Sequence, residues 1–331
     1  MRLGVVVGGL VLVAAACAPP ARLASTRVVA TPEPTLTLEP TPAPTPAPTP
    51  DPTRAPRPTK PPQPPLPPQP SIEAFHGLGV WIDVFDFSDD PASIVPAVRD
   101  AAAQGARTLY LESARFTTPS DIQFPTATAA AIEEAHALGM RVVAWYPPGF
   151  GDVDRDVARS LAAIRWTTPR GHRFDAFAAD IEYAQEVPDP GARSTAALEY
   201  SRRLRAGAGP AYPLAAIVIP PTSHEINPNR WPGFPWAELS TTYELFMPMN
   251  YWTGRTTDPA VVEQVTARNV TETARLTGKP VHIIGGLADR TDEPQAAAYV
   301  RAAQEAGSIG GGLYDYRITR PEVWDELRGL H

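Results

Sequence analysis

The chain has 331 residues, 43% of them hydrophobic and 20% charged, with a formal net charge of -7 and a pI near 5.4. That balance fits a folded globular portion and argues against a nucleic-acid partner, which would select a basic surface. A single cysteine, Cys17, excludes an internal disulfide.

In chain order, the opening "MRLGVVVGGLVLVAAACAPP" carries one basic residue, Arg2, an apolar run and then small residues ahead of Cys17, the build of a secretory signal. The run is too short to span a bilayer. Ala14-Ala15-Ala16-Cys17 resembles a bacterial lipobox, with Ala14 where Leu is usual. The resemblance implies that residues 1–17 are a lipoprotein signal and that Cys17 is lipidated, which would anchor an extracytoplasmic chain to the bilayer of a bacterial envelope. About half of the 41 prolines fall before residue 71. Residues 18–74, with "TPAPTPAPTPDPTRAPRPTKPPQPP", therefore read as a disordered Thr/Pro-rich linker in extended polyproline conformations. At about 3.1 Å per residue such a spacer reaches roughly 150 Å.

From His76 onward, β-rich runs alternate with Ala-rich segments of helical period. The strand candidates are 79–87, 107–116, 141–150, 174–183, 214–220, 243–252, 280–289 and 310–318, with helices such as "PASIVPAVRDAAAQGA" and "PTATAAAIEEAHALGM" between them. About eight βα units within residues 75–331 predict a (β/α)8 TIM barrel. A doubly wound open sheet is the alternative, but no phosphate-binding glycine turn follows the first strand. Chemistry in such barrels sits at the C-terminal ends of the strands. The polar and aromatic residues there are Asp83, Asp86, Glu112, Trp145, Tyr146, Asp180, Glu182, Asn250, Tyr251, Trp252, Asp289, Tyr314, Asp315 and Tyr316.

"FDAFAADIEY" (174–183) is the most informative of these runs. Alternation places Ala176, Ala178, Asp180 and Glu182 on one face and Phe177, Ala179, Ile181 and Tyr183 on the other. The second set suits the helix layer, so the two acids point into the barrel at its upper rim, with Cα atoms about 6.5 to 7 Å apart. Two like charges about 6 Å apart repel by about 3 kcal/mol at an effective dielectric near 20, enough to keep one acid protonated near neutrality. A proton donor beside a carboxylate is what glycosidic cleavage requires. The same acids would also serve merely to bind loop backbone or an Arg at the rim.

Asp175, Asp180 and Glu182 in "FDAFAADIE" resemble the D-G-x-D-x-D-x-E segment of glycoside hydrolase family 18, the chitinase-like group. The resemblance implies that Glu182 is the general acid and that Asp180 orients the substrate's own N-acetamido group, which attacks the anomeric carbon. "MPMNYW" is similar to the family's M-x-Y element at Met249 and Tyr251, which gives the Tyr251 hydroxyl the role of bonding the acetamido oxygen. Ala178 stands where the family has its middle Asp, Ala176 where it has Gly, and Tyr314 or Tyr316 where it has a floor Trp. Substrate contacts are expected from Asp83, Glu112, Trp145, Tyr146, Asn250, Trp252, Tyr314, Asp315 and Tyr316. For a substrate without an acetamido group, Asp83, Glu112 or Asp315 would have to act as nucleophile at about 5 to 5.5 Å from Glu182.

The six histidines show no H-x-H or H-E-x-x-H spacing, so neither a metal nor another cofactor is expected. Gly285-Gly286 and Gly310 to Gly312 read as tight turns rather than a phosphate site. The loop "PPTSHEINPNRWPGFPW" adds Trp231 and Trp236 as candidate platforms for sugar rings. The expectation is a monomeric glycoside hydrolase on a cell-surface or environmental polysaccharide; a barrel that binds a glycan without cutting it is the alternative.

Overall fold

The computed structural model describes residues 70–330. The expectations for the signal, for Cys17 and for the spacer up to residue 69 lie outside the described residues. Eight strands make up the described sheet: β1 (Gly77–Ile82), β2 (Thr108–Glu112), β3 (Arg141–Tyr146), β4 (Ala176–Ile181), β5 (Leu214–Val218), β6 (Leu245–Pro248), β7 (Ile283–Leu287) and β8 (Gly310–Tyr314). Their order is β6-β5-β4-β3-β2-β1-β8-β7, every pair parallel. Bridges from Phe246 to Val281 and from Met249 to Ile284 join β6 to β7, so the sheet closes into the expected barrel.

The crossover helices are α1 (Pro91–Ala103), α2 (Pro125–Ala137), α3 (Val153–Arg165) and α4 (Pro190–Ala208). Two short helices, α5 (Pro221–Ile226) and α6 (Trp236–Leu239), fill the loop after β5, and α7 (Pro259–Thr277), α8 (Glu293–Glu305) and α9 (Trp324–Leu327) complete the layer. The sequence starts these helices by one device. Asp90, Asp152, Asp189, Asp258 and Asp292 each accept a hydrogen bond from a first-turn amide of α1, α3, α4, α7 and α8, and in four of the five a proline stands in the first turn, where its missing N–H costs nothing. At the other end of α7, Gly278 closes the helix with φ +66°.

Residues of alternating parity build two cores. Leu78, Val80, Leu109, Leu111, Val142, Phe177 and Ile181 pack outward under the helices. Trp81, Tyr110, Val143, Trp145, Ala176, Ala178, Ala215, Ile217, Leu245 and Met247 pack inward. The inner filling is lopsided: Trp81 and Tyr110 stack at 4.2 Å and Trp145 meets Trp81 edge-on at 6.1 Å, so the aromatic bulk of β1 to β3 fills the space left by the alanines of β4 and β5. Phe75 closes the lower end, its carbonyl 2.8 Å from Nδ1 of the fully buried His282.

The glycine-rich segments correct the sequence reading. Gly310 to Gly312 are the body of β8 and Gly285-Gly286 lie within β7; neither is a turn. The cause is close approach, because a Cβ on Gly312 would collide with the Gly79 carbonyl and one on Gly311 with the Tyr299 hydroxyl.

Candidate active site

β4 ends at Ile181, at the rim, and delivers Asp180 to the inner face one residue before its end. Asp180, Glu182, Trp81, Arg115, Trp145, Tyr183, Ile217, Met249, Tyr251, Ile284, Leu287 and Tyr314 enclose a cavity of about 170 Å³ at the C-terminal mouth of the barrel. Glu182 and Tyr183 also wall a more open recess of about 590 Å³ with Ala184, Gln185, Arg193 and Arg230. Glu182 therefore stands between an aromatic cavity and a polar one.

The electrostatics follow from burial. Asp180 is 6% exposed, and its Oδ1 has no hydrogen-bond partner among the described residues. Desolvation first, and then the charges of Glu182 and Glu112, hold its carboxyl well above the aspartate range against the opposing pull of Arg115 and Arg230. Glu182 is also pushed up by desolvation, against Arg230. The Arg230 Nη2 to Glu182 Oε2 contact is 3.4 Å, and the Glu182 side chain retains 26% exposure, so the acid is reachable. Desolvation and then the charges of Glu182 and Asp180 raise the Tyr251 phenol, which stays protonated and free to donate.

A raised carboxyl in the folded state costs stability once the unfolded chain ionises. For Asp180 the penalty is absent below the ordinary value of 3.8 and grows as pH climbs toward the raised folded value. Asp180→Asn is accordingly expected to raise the melting temperature at pH 7 to 8 relative to the unaltered chain and to leave it unchanged near pH 3.5. A gain independent of pH in thermal unfolding from pH 3.5 to 8 would show that Asp180 does not carry this penalty.

Several residues expected at the mouth are placed elsewhere. Tyr146 and Asn250 have the outward parity of their strands: Tyr146 bonds Asp156 of α3 at 2.6 Å, and Asn250 bonds Thr266 and Asn269 of α7 at 2.7 and 2.8 Å. Trp252 is 1% exposed and donates to Gln295 of α8. Tyr316 reaches Asp100 of α1. Trp231 is buried in the outer core, Trp236 is partly buried against that core, and neither lines the cavity or the recess beside it. Asp175 lies at the opposite end of β4, held by His136, Arg141 and the Val142 amide.

The three reserve acids are also committed. Arg115 Nε meets Glu112 at 2.6 Å and its Nη2 meets Asp83 at 2.5 Å. The Val84 amide adds a bond to Glu112, and the Tyr314 hydroxyl donates to Asp83. Burial lifts Glu112 to about 7 in spite of Arg115. Asp315 caps a 3-10 turn by accepting from the Arg317 amide, and burial followed by the charge of Asp86 raises it to about 6. None of the three lines the cavity. The sequence reading also missed wall residues: Trp81, which the parity of Gly79 and Asp83 turns inward, and Tyr183, which swings inward because the strand stops at Ile181 and alternation lapses. Arg115 and Arg230 come from loops, where periodicity gives no direction.

In sequence, the chain matches no protein-family model and no curated protein. In structure it is similar to an endo-β-1,4-mannanase from Thermotoga petrophila, with TM-score 0.56 and 13% identity, covering 73% of this chain and 67% of that one. It is similar to the PgaB (BpsB) glycoside hydrolase domain from Bordetella bronchiseptica, with TM-score 0.55, 13% identity and coverage of 77% and 99%. A glycoside hydrolase family 18 N-acetylglucosaminidase from Paenibacillus barengoltzii gives TM-score 0.51, 14% identity and coverage of 77% and 100%. These likenesses are of fold: the chain has the eight-stranded barrel shared by family 18 chitinases and related glycoside hydrolases.

Proposed function

We propose that the protein is a glycoside hydrolase of a cell-surface or environmental polysaccharide containing N-acetylated amino sugars. The observation that carries this reading is the pairing of two carboxyls with raised pKa, Asp180 and Glu182, on one aromatic-walled cavity at the catalytic end of the barrel. In the reaction, protonated Glu182 gives its proton to the glycosidic oxygen as the bond to the anomeric carbon breaks. The substrate's acetamido oxygen closes on that carbon, and Asp180 and the Tyr251 hydroxyl hold the acetamido group in line. Water then opens the cyclic ion and returns its proton to the Glu182 carboxylate. Substrate participation suits this site, because the carboxylates that would replace it, Asp83 and Glu112, are bound by Arg115.

Release of reducing ends is expected from chitin oligosaccharides or peptidoglycan and not from their N-deacetylated forms or neutral glucans. Equal turnover of acetylated and deacetylated chains would defeat the acetamido mechanism. Ala178 in place of the family's middle Asp favours one second reading, a barrel that holds the glycan uncut. Saturable binding with no turnover of any of these substrates would select it.

A further inference from the structure

We propose that the recess on the far side of Glu182 is a subsite for a negatively charged group of the glycan, on the leaving-group side of the scissile bond. Its placement there rests on the hydrolase reading above; its preference for an anion does not. The recess is lined by Arg193 and Arg230 together with Gln185, and Arg255 is near enough to Arg230 to feel its charge. Of these three guanidiniums, Arg193 and Arg255 have no ion-pair partner among the described residues, and Arg230 has only a long contact to Glu182. Arg193, on α4, is 1% exposed. Its Nη2 donates to the Arg230 carbonyl at 3.1 Å, its Cζ lies 4.2 Å over the Trp231 ring, and its Nε has no partner among the described residues. Arg255 donates to the Ser223 hydroxyl at 2.6 Å rather than to a carboxylate. Arg230 has Glu182 at 3.4 Å, long for a charge-assisted pair, which closes to about 2.7–2.9 Å.

Holding these cations together is costly: burial and then the charge of Arg230 push both Arg193 and Arg255 below the usual arginine range, in Arg193 against the pull of Asp189. An incoming anion removes that cost. The planar fork of a guanidinium suits a carboxylate, sulfate or phosphate ester. At about 590 Å³ the recess has room for a substituted sugar ring. With Asp180 and Tyr251 directing the reacting sugar to the aromatic cavity, a charged substituent in this recess belongs to the sugar that leaves.

The test is calorimetric binding to the unaltered chain and to Glu182→Gln, which needs no turnover. Each ligand is paired with a neutral counterpart: a peptidoglycan glycan fragment against its carboxyl-reduced form, and a sulfated chitin oligosaccharide against the unsulfated one. At least one charged member is expected to bind about tenfold tighter than its counterpart at low salt, as a charge-assisted pair allows, and which pair shows it identifies the anion. Arg230→Gln should abolish that preference; Arg230 is 45% exposed, so folding should not suffer. In Glu182→Gln the preference should grow, because the competing carboxylate is gone. Equal affinity within both pairs, or a preference that survives Arg230→Gln, would overturn the subsite. A charge preference with no turnover would remove the hydrolase and keep the subsite; turnover with no preference would do the reverse.

Discussion

Glu182→Gln should lower kcat on an acetylated oligosaccharide by about 10²–10⁴, the usual contribution of a positioned proton donor, with KM little changed. The amide keeps the shape of the side chain and its hydrogen-bonding edge but has no proton to give at the glycosidic oxygen. The pH profile supplies an independent reading. Because desolvation raises Glu182 above the ordinary glutamate value of 4.5, the protonated form persists further toward neutrality and the alkaline limb of kcat shifts upward with it. Activity should fall as pH rises through that limb, the direction expected when the acid form is required. Asp180 and Glu182 interact, so the limb belongs to the pair rather than to one residue. Turnover within threefold of the parent in Glu182→Gln would take this residue out of the mechanism.

Arg115→Met should be the most destabilising of the substitutions considered, by about 3–5 kcal/mol, since it strips the cation from a buried charge pair. Glu112 has no exposed side-chain surface and Asp83 has 15%; without Arg115 each retains only neutral donors, the Val84 amide and the Tyr314 hydroxyl respectively among them. For a domain of this size the loss corresponds to a fall in melting temperature of about 10 °C. The sign of its pH dependence follows from Glu112, already lifted to about 7. Removing Arg115 raises it further, so the penalty is present above that value and recedes as acid protonates the carboxyl. The loss should therefore be larger at pH 8 than at pH 5, and adding Glu112→Gln should restore part of it. A melting temperature unchanged at pH 8 would mean that Arg115 is not what makes the buried carboxylates tolerable.

The barrel was legible because its signals are redundant. Buried parallel strands read as continuous apolar runs, and Asp-Pro pairs mark the starts of α1, α4 and α7. Within "FDAFAADIEY", parity put Ala176 and Ala178 inside and Phe177, Ala179 and Ile181 outside, as found. The rim was less legible, because strand candidates drawn through their polar tails extend past the observed ends, as 79–87 does against β1. Beyond a strand end the two-residue period lapses, which is why Tyr183 and Tyr316 were misplaced. Tyr146 and Asn250 are a different case: parity alone turns them outward, but they were read by position. Arg115 and Arg230 depend on loop conformations fixed by distant contacts, and no local pattern encodes those.

The uneven filling of the barrel interior bears on how this chain could change over evolutionary time. Ala178 is level with Trp145 across the β3–β4 pairing, fully enclosed, in the same packed cluster as Trp81. A carboxyl introduced at that position would have to displace indole rings already in contact, at a cost typical of overpacking, about 1–3 kcal/mol before any charge is counted. An acid at that position thus demands concerted trimming of the aromatic side rather than a single substitution.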